Sequence, residues 1–440
     1  ISDYNSDGFF DIYTTGINTN PLFTNTGNNT FTNNVAAGSD GLGFWYDTED
    51  KVTGPSARLP EAKNYSPRKS KFGKFKGNTA HSSSMALSIC SRDSGRPGYE
   101  PAGGKGTLIE DLTVYYGGIG AIWPCNSWHR FNGMKVLDTG FGNVNSKRAA
   151  FVSAFPAFVD DSLFVSNSAL AGNKPKARAA FGIYDFGTRV KNSHFVNYNA
   201  ENAESSLFVE VGGGVTFMYQ GMEGTTLENS DIMLKVNGKN SKSTTGNVIR
   251  DYDGSLSGKK GRWSLVPNND LMKDSSCTKR AKEDHGVFCP YYYGQFSIEM
   301  GVNNLPQVGV SRTDIPSINK KYLPNKARKF YKVFPPLNQS DYHHVLDFKD
   351  AFNKTLKSRK KVTVKLHYGI NGDTSMLALK NVKSNARVSK TGWTKVASLD
   401  ALRKHSGRAW YKTGNTIHLK FKTTGNSKMV AAADSVDVLF

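Results

Sequence analysis

"LIEDLTVYYG" (residues 108–117), "RFNGMKVLDTG" (130–140), "FVDDSLFVSNSA" (158–169) and "RVKNSHFVNYNA" (189–200) follow one scheme. Each has an apolar residue followed by two polar or small ones, and continues into a short strand that ends in an Asn, Gly or Ser turn. "TLENSDIMLKV" (226–236) fits the same scheme. Aligning Ile109, Phe131, Val159, Val190 and Leu227 gives separations of 22, 28, 31 and 37 residues. Further upstream, "FTNNVAAGS" from Phe31 and "FKGNTAHSS" from Phe75 echo each other in the same way. Repeats of this size, with short strands between turns, suit a parallel β-helix whose coils stack on one another. Period-two residues such as Leu163 and Val165 then alternate in direction across the strand. The variable spacing places loops on some coils, where binding surfaces usually form. The competing arrangement is an antiparallel sandwich with strands of similar length.

The chain has 440 residues, long enough for two or three domains. Its 43 glycines and its Asn-, Ser- and Thr-rich texture favour turns and strands over helices. No apolar run is long enough to span a membrane. The opening "ISDYNSDGFFDIY" has neither an initiator Met nor a signal pattern, so the chain reads as a piece of a longer or processed protein. A net charge of +20 draws anionic partners: acidic polysaccharide, nucleic acid or anionic membrane. Without zinc-finger spacing or a basic zipper, nucleic acid ranks below polysaccharide. The four cysteines form no C-x-x-C pair, which leaves zinc and thioredoxin-like chemistry unsupported. Their even number suits disulfides, with Cys277 and Cys289 as a loop staple and Cys90 with Cys125 as the remaining combination.

Beyond about residue 315 the texture changes. "SINKKYLPNKARKFYKVFPPLNQSDYHH" is basic and punctuated by proline, as a linker or strap would be. "KVTVKLHYG", "RAWYKTG" and "TIHLKFKTTG" alternate strongly and end in Gly turns, which is an antiparallel pattern. The expected organisation is all-β: a parallel β-helix over 1–315, a basic strap over 316–335 and a small β-sandwich-like domain over 336–440.

Two acidic stretches invite chemistry. In "DYNSDGFFD", Asp3, Asn5, Asp7 and Asp11 occupy positions one, three, five and nine, with Gly8 at six, as in a calcium-binding loop. In "VIRDYDGSLSG" (248–258), Asp251 and Asp253 stand two apart, so on one strand they would share a face. That spacing is compatible with a glycosidase carboxylate pair. The same letters are also what a tight turn demands, since Asp accepts backbone N–H bonds and Gly supplies positive φ. Turn architecture is the leading expectation for this pair, ahead of cation contact and catalysis.

"NNVAAGSDGLGFWYDTEDKVTGPS" (33–56), "FKGNTAHSS" (75–83), "GIYDFGTRVKNSHFVNY" (182–198), "VIRDYDGSLSG", "CTKRAKEDHGVFCPYYYGQFSIEM" (277–300) and "HSGRAWYKTGNTIHLKFK" (405–422) occur in an order that resembles a known family. That family comprises the cell-migration-inducing hyaluronan-binding proteins and transmembrane cell-surface hyaluronidases, with fibrocystin-like proteins as related candidates. The resemblance implies extracellular placement, a right-handed parallel β-helix with a following β domain, and calcium-dependent binding or depolymerisation of hyaluronan. It draws attention to Asn78 and to His81, which could serve as a general acid or base toward a sugar. A hydrogen-bonded structural histidine is the commoner fate of such a residue. Trp45 and Tyr46 in "GLGFWYDTE" could stack on pyranose rings or fill the solenoid core. Lys74 and Lys76 in "PRKSKFGKFK", and Arg262 in "GKKGRW", are candidate contacts for glucuronate.

The leading expectation is an extracellular β-helix module that binds an anionic glycan of hyaluronan type, with hyaluronidase-like cleavage left open. The second is a structural or adhesive module of fibrocystin-like kind whose basic surfaces contact other chains of a surface or filament assembly. A polysaccharide lyase comes third, because no Lys or Arg base beside calcium-binding acids is evident.

Overall fold

The computed structural model describes residues 30–45, 50–52, 55–69, 73–89, 105–118, 122–124, 128–140, 149–153, 157–169, 179–183, 188–199, 206–210, 220–231, 234–235, 248–279, 286–301, 305–316, 320–322, 330–349, 360–425 and 432–440. They fall into two compact units, the first carrying the described residues up to Lys235 and the second those from Val248 onward. Asp3, Asn5, Asp7, Asp11, Tyr46, Cys90 and Cys125 lie outside the described residues.

The first unit is a parallel β-helix. One sheet stacks Thr30–Thr32, Lys74–Lys76, Lys105–Glu110, Trp128–Asn132, Ala157–Asp160, Thr188–Lys191 and Gly221–Glu223. The second stacks Val35–Ala37, Thr79–His81, Thr113–Tyr115, Lys135–Leu137, Leu163–Val165, His194–Val196 and Thr226–Glu228. A third side holds Leu42–Trp45, Met85–Ile89 and Ile122–Pro124 in one short sheet, and Phe151–Ser153, Ala179–Ile183, Ser206–Glu210 and Leu234–Lys235 in another. The described strand pairs of this unit run parallel, which disposes of the sandwich alternative for this part of the chain.

The corner between the first two sheets explains the repeat. Asn33, Gly77, Asp111, Gly133, Asp161, Asn192 and Gly224 each follow a first-sheet strand in the left-handed conformation, which Gly, Asn and Asp tolerate best. At six of these seven corners the next residue turns inward, Asn34 being the exposed exception. Asn78, Leu112, Met134, Ser162, Ser193 and Thr225 are all buried there. Buried polar corners require partners, and neighbouring coils supply them at Asn78, Ser162 and Ser193. The Ser162 hydroxyl accepts from Met134 N at 3.1 Å, and the Ser193 hydroxyl from Ser162 N at 3.2 Å. Replacing Gly133 (φ 69°) by alanine forces a Cβ into the left-handed region, 2.7 Å from Asp111 Oδ1. The expected cost is about 1–2 kcal/mol, measured as a lower urea midpoint.

The core is a stack of rungs. Phe31, Phe75, Ile109, Phe131, Val159 and Val190 lie opposite one another along the first sheet. The fifth member of the expected repeat is displaced. Met222 pairs with Val190, whereas Leu227 lies on the second sheet opposite Phe195, so the true spacing is 32 residues. Both kinds of corner use left-handed asparagine, as at Asn192 and, one coil on, at Asn229, and one corner therefore imitates the other in sequence.

The second unit is built around a β-sandwich. Its five-stranded sheet orders Phe330–Val333, Gln295–Glu299, Lys361–His367, Ala432–Leu439 and Arg387–Val388. Its seven-stranded sheet orders Lys320–Tyr322, Val308–Arg312, His344–Asp347, Thr374–Lys380, Thr416–Lys422, Ala409–Thr413 and Thr394–Lys395. Phe296, Val364 and Val436 from one sheet meet Leu346, Leu377 and Leu419 from the other in the core. Pairing is antiparallel except between His344–Asp347 and Thr374–Lys380 and between Thr394–Lys395 and Ala409–Thr413. The expected boundaries at 315 and 335 are thereby corrected. Gln295–Glu299 and Phe330–Val333 pair with each other, and Val308–Arg312 pairs with His344–Asp347, so all three belong to the sandwich. Alternating strands in "QFSIE" and "VGVSR" read alike in either architecture, which is why spacing alone misplaced them. Cys277 and Cys289 form the expected disulfide.

Candidate functional site

The sequence-derived candidates do not converge. Asn78 is buried at a corner, where its carboxamide oxygen accepts from Asn34 N at 2.9 Å and its nitrogen donates to Phe31 O at 2.8 Å. It holds two coils together and presents nothing to a ligand. His81 lies on the second sheet with its ring stacked on Tyr115 at 4.5 Å and 7°, and its Nδ1 lies 3.2 Å from the Ser82 hydroxyl. Trp45 ends a strand of the third side, opposite Ser88. Lys74 and Lys76 belong to the first sheet.

In the second unit, Asp251 and Asp253 make a turn. Asp251 ends the strand Ile249–Asp251 and is fully buried. Its Oδ1 accepts from Gly254 N at 2.9 Å, and its Oδ2 accepts from Ser257 N at 2.7 Å and from the Ser257 hydroxyl at 2.6 Å. Asp253 Oδ1 accepts from Ser255 N at 3.0 Å. Gly254 adopts φ 91°, and a Cβ there would lie 2.5 Å from Lys259 O. Both carboxylates are thus engaged by donors of their own loop. Arg262 pairs with buried Asp373, which also accepts from Asn338 Nδ2 at 2.8 Å and Ile370 N at 2.9 Å. Arg262 and Arg250 also lie 5.5 Å and 5.0 Å from the Tyr292 ring centre. Arg262 is thus a structural cation.

The residues that do assemble a surface lie on the outer face of the first sheet. Register places Lys74, Leu108, Arg130, Phe158 and Arg189 in one column across successive coils. The Arg130 guanidinium sits 5.1 Å from the Phe158 ring centre, and Trp128 stacks beside that ring at 6.4 Å and 28°. Leu108 is 45% exposed. The adjoining column carries Lys76, Glu110, Asn132, Asp160, Lys191 and Glu223. Ion pairs cross between and along the columns: Arg130–Asp160 at 3.5 Å, Arg189–Glu223 and Lys191–Glu223 at 3.7 Å, and Lys76–Glu110 at 3.6 Å. Partial burial pushes the Asp160 carboxyl above its usual range against the pull of Arg130. Exposed pairs of this kind contribute little to stability, so their cations can exchange one carboxylate for another. Sequence reasoning found Lys74 and Lys76 but missed Trp128, Arg130, Phe158 and Arg189. Their signal was the alternation in "WHRFN", "AFVD" and "TRVK", which puts the second or third letter outward at the same height in each coil.

Fold and surface together define a parallel β-helix protein with a mixed cationic and aromatic face. Residues 13–87 match the family described as the CEMIP beta-helix. The chain is also 25% identical over 273 residues to Fibrocystin-L of Mus musculus, an alignment covering 57% of this chain and 6% of that protein. The kinship expected from the ordered motifs is found in both comparisons, and the chain spans only a small fraction of that curated relative.

Proposed function

We propose that the outer face of the first sheet binds an anionic glycan of hyaluronan type, laid across successive coils, in an extracellular setting. The column Lys74–Leu108–Arg130–Phe158–Arg189 is the observation that carries this reading. Neighbouring strands stand about 4.8 Å apart, so Arg130 and Arg189, two coils apart, are separated by roughly 10 Å. That is comparable with one disaccharide of an extended chain carrying one carboxylate per repeat. Phe158 lies between the two arginines in that column, and with Trp128 beside it gives the face an apolar patch for a pyranose ring once the Arg130 guanidinium turns to a carboxylate. Arginine supplies planar, bidentate recognition of carboxylate. The disulfide and the +20 charge support the extracellular, polyanion-binding setting. The calcium expectation rests on Asp3, Asn5, Asp7 and Asp11, which lie outside the described residues. Among the described residues no cluster of three or more acidic, His or Cys side chains is placed to hold a metal, so binding is to be measured with and without the ion.

Fluorescence anisotropy with labelled hyaluronan oligosaccharides tests the reading. The expected result is salt-sensitive binding that weakens roughly thirtyfold in the Arg130→Ala/Arg189→Ala double variant, equivalent to about 2 kcal/mol for charge-assisted contacts. Arg262→Ala leaves it unchanged. Binding that ignores the double substitution removes the proposed face, and absence of binding returns the chain to a structural role. Shortening of the oligosaccharides would add depolymerisation to binding.

A further inference from the structure

A cluster of histidines in the second unit has no part in that reading. The short helix Leu399–Lys404 covers the outer side of the seven-stranded sheet, with Leu402 packed on Met376 and Ala409. In the same unit His343 and His418 are both buried, and His343 Nε2 lies 3.0 Å from His418 Nδ1. One proton serves that contact. Whichever ring donates, the other must accept, and a second proton would set two N–H groups against each other in a buried site. The groups around the pair give a second positive charge no compensation. Arg403, on the covering helix, bears on both rings electrostatically. Lys420, two residues along from His418, donates to Arg403 O at 2.5 Å. Tyr411 stacks on His418 at 5.9 Å and 26°. His343 Nδ1 is buried with no hydrogen-bond partner. Beside it, His344 is fully buried, with Nε2 2.8 Å from Leu271 O and Nδ1 unpartnered. Arg312 lies on the strand paired with His344, and the nearby carboxylate of Asp314 is already paired with that arginine. Tyr342 presents its ring to His344 at 6.4 Å.

We propose that the helix Leu399–Lys404 and the sheet face beneath it form an acid-released latch, closed by the neutral His343–His418 pair and opened when both rings take up protons. Opening would uncover Met376, Leu402 and Ala409, and protonation of His344 would free the segment around Leu271 from its imidazole anchor. Burial, with the Arg403 charge adding to it, holds His418 down at about 4. Burial likewise holds His344 at about 4 and His343 well below its ordinary value. Histidines depressed in the folded state favour folding above their unfolded pKa, about 6.5, and lose that contribution as pH falls toward the folded value. The window of loss is therefore about pH 6.5 down to about 4.

Hydrogen exchange on the whole chain, corrected for intrinsic rate, provides the test. Between pH 7.5 and 5.0, protection of residues 399–413 should fall at least about tenfold, while Lys361–His367 in the opposite sheet keeps its protection. The His343→Gln/His418→Gln variant should abolish the change, because glutamine hydrogen-bonds without titrating in this range. Should that variant not fold, His418→Gln alone should reduce the change, and NMR of the wild type should show the His418 ring titrating below pH 5. Unchanged wild-type protection, an undiminished loss in the variant that folds, or His418 titrating near 6.5 would each overturn the latch.

Discussion

Replacing Asp251 by alanine is expected to destabilise the second unit by about 3 kcal/mol. The carboxylate accepts three hydrogen bonds, from Gly254 N, Ser257 N and the Ser257 hydroxyl, in a site with no exposure. Hydrogen bonds to a charged group contribute about 1.5–3 kcal/mol each, and stranded buried donors add a desolvation cost, although losses within one network are not additive. Asp251→Asn keeps one acceptor oxygen and should lose roughly half as much. Asp253→Asn, which disturbs the exposed contact from Ser255 N, should cost about 0.5 kcal/mol. Urea unfolding of the three variants distinguishes architecture from catalysis, because a catalytic carboxylate replaced by its amide leaves stability intact and removes activity. If Asp251→Asn unfolds at the wild-type midpoint, the turn assignment is wrong.

The difference between the β-helix, which was legible, and its surface, which was not, has a physical origin. Corners write themselves into sequence because few residues tolerate a left-handed backbone: Asn33, Asp111, Asp161 and Asn192 recur where the geometry demands them. Inward positions are equally constrained, so Ile109, Phe131, Val159 and Val190 could be aligned by eye and stand in register in the folded chain. Outward positions carry no such constraint. Arg130 and Arg189 are ordinary letters until the stacking of coils sets them in one column with Phe158, and that requires the register of several strands at once. Short motifs misled in the opposite direction. "NTAHSS" and "GKKGRW" look functional because polar and basic residues cluster in them. Yet Asn78 is an inter-coil strut and Arg262 answers a buried aspartate. Partner identity is non-local information, and the sandwich boundary failed for the same reason: "QFSIE" declares a strand and leaves its neighbours unstated.

The largest loss is expected from Phe164→Ala in the middle of the β-helix. Phe164 points inward from the second sheet and is fully buried. Its ring centre lies 5.2 Å from those of both Phe195 on the next coil and Phe181 on the third side, which also touch each other at 5.7 Å. Removing the ring forfeits its transfer free energy and leaves a cavity that the two flanking phenylalanines cannot close, at a cost of about 3–5 kcal/mol. Phe164→Leu refills most of that space and should cost about 1–1.5 kcal/mol. In a stacked array each coil is stabilised chiefly by its neighbours. The damage should therefore be local first, with hydrogen exchange rising in Lys135–Leu137 and His194–Val196, which pair with the substituted strand, before it rises in Thr30–Thr32. This rests on one claim, that aromatic side chains from consecutive turns of the chain touch inside a common interior. An alanine at position 164 that costs under about 1 kcal/mol, or loosens every coil equally, is incompatible with it.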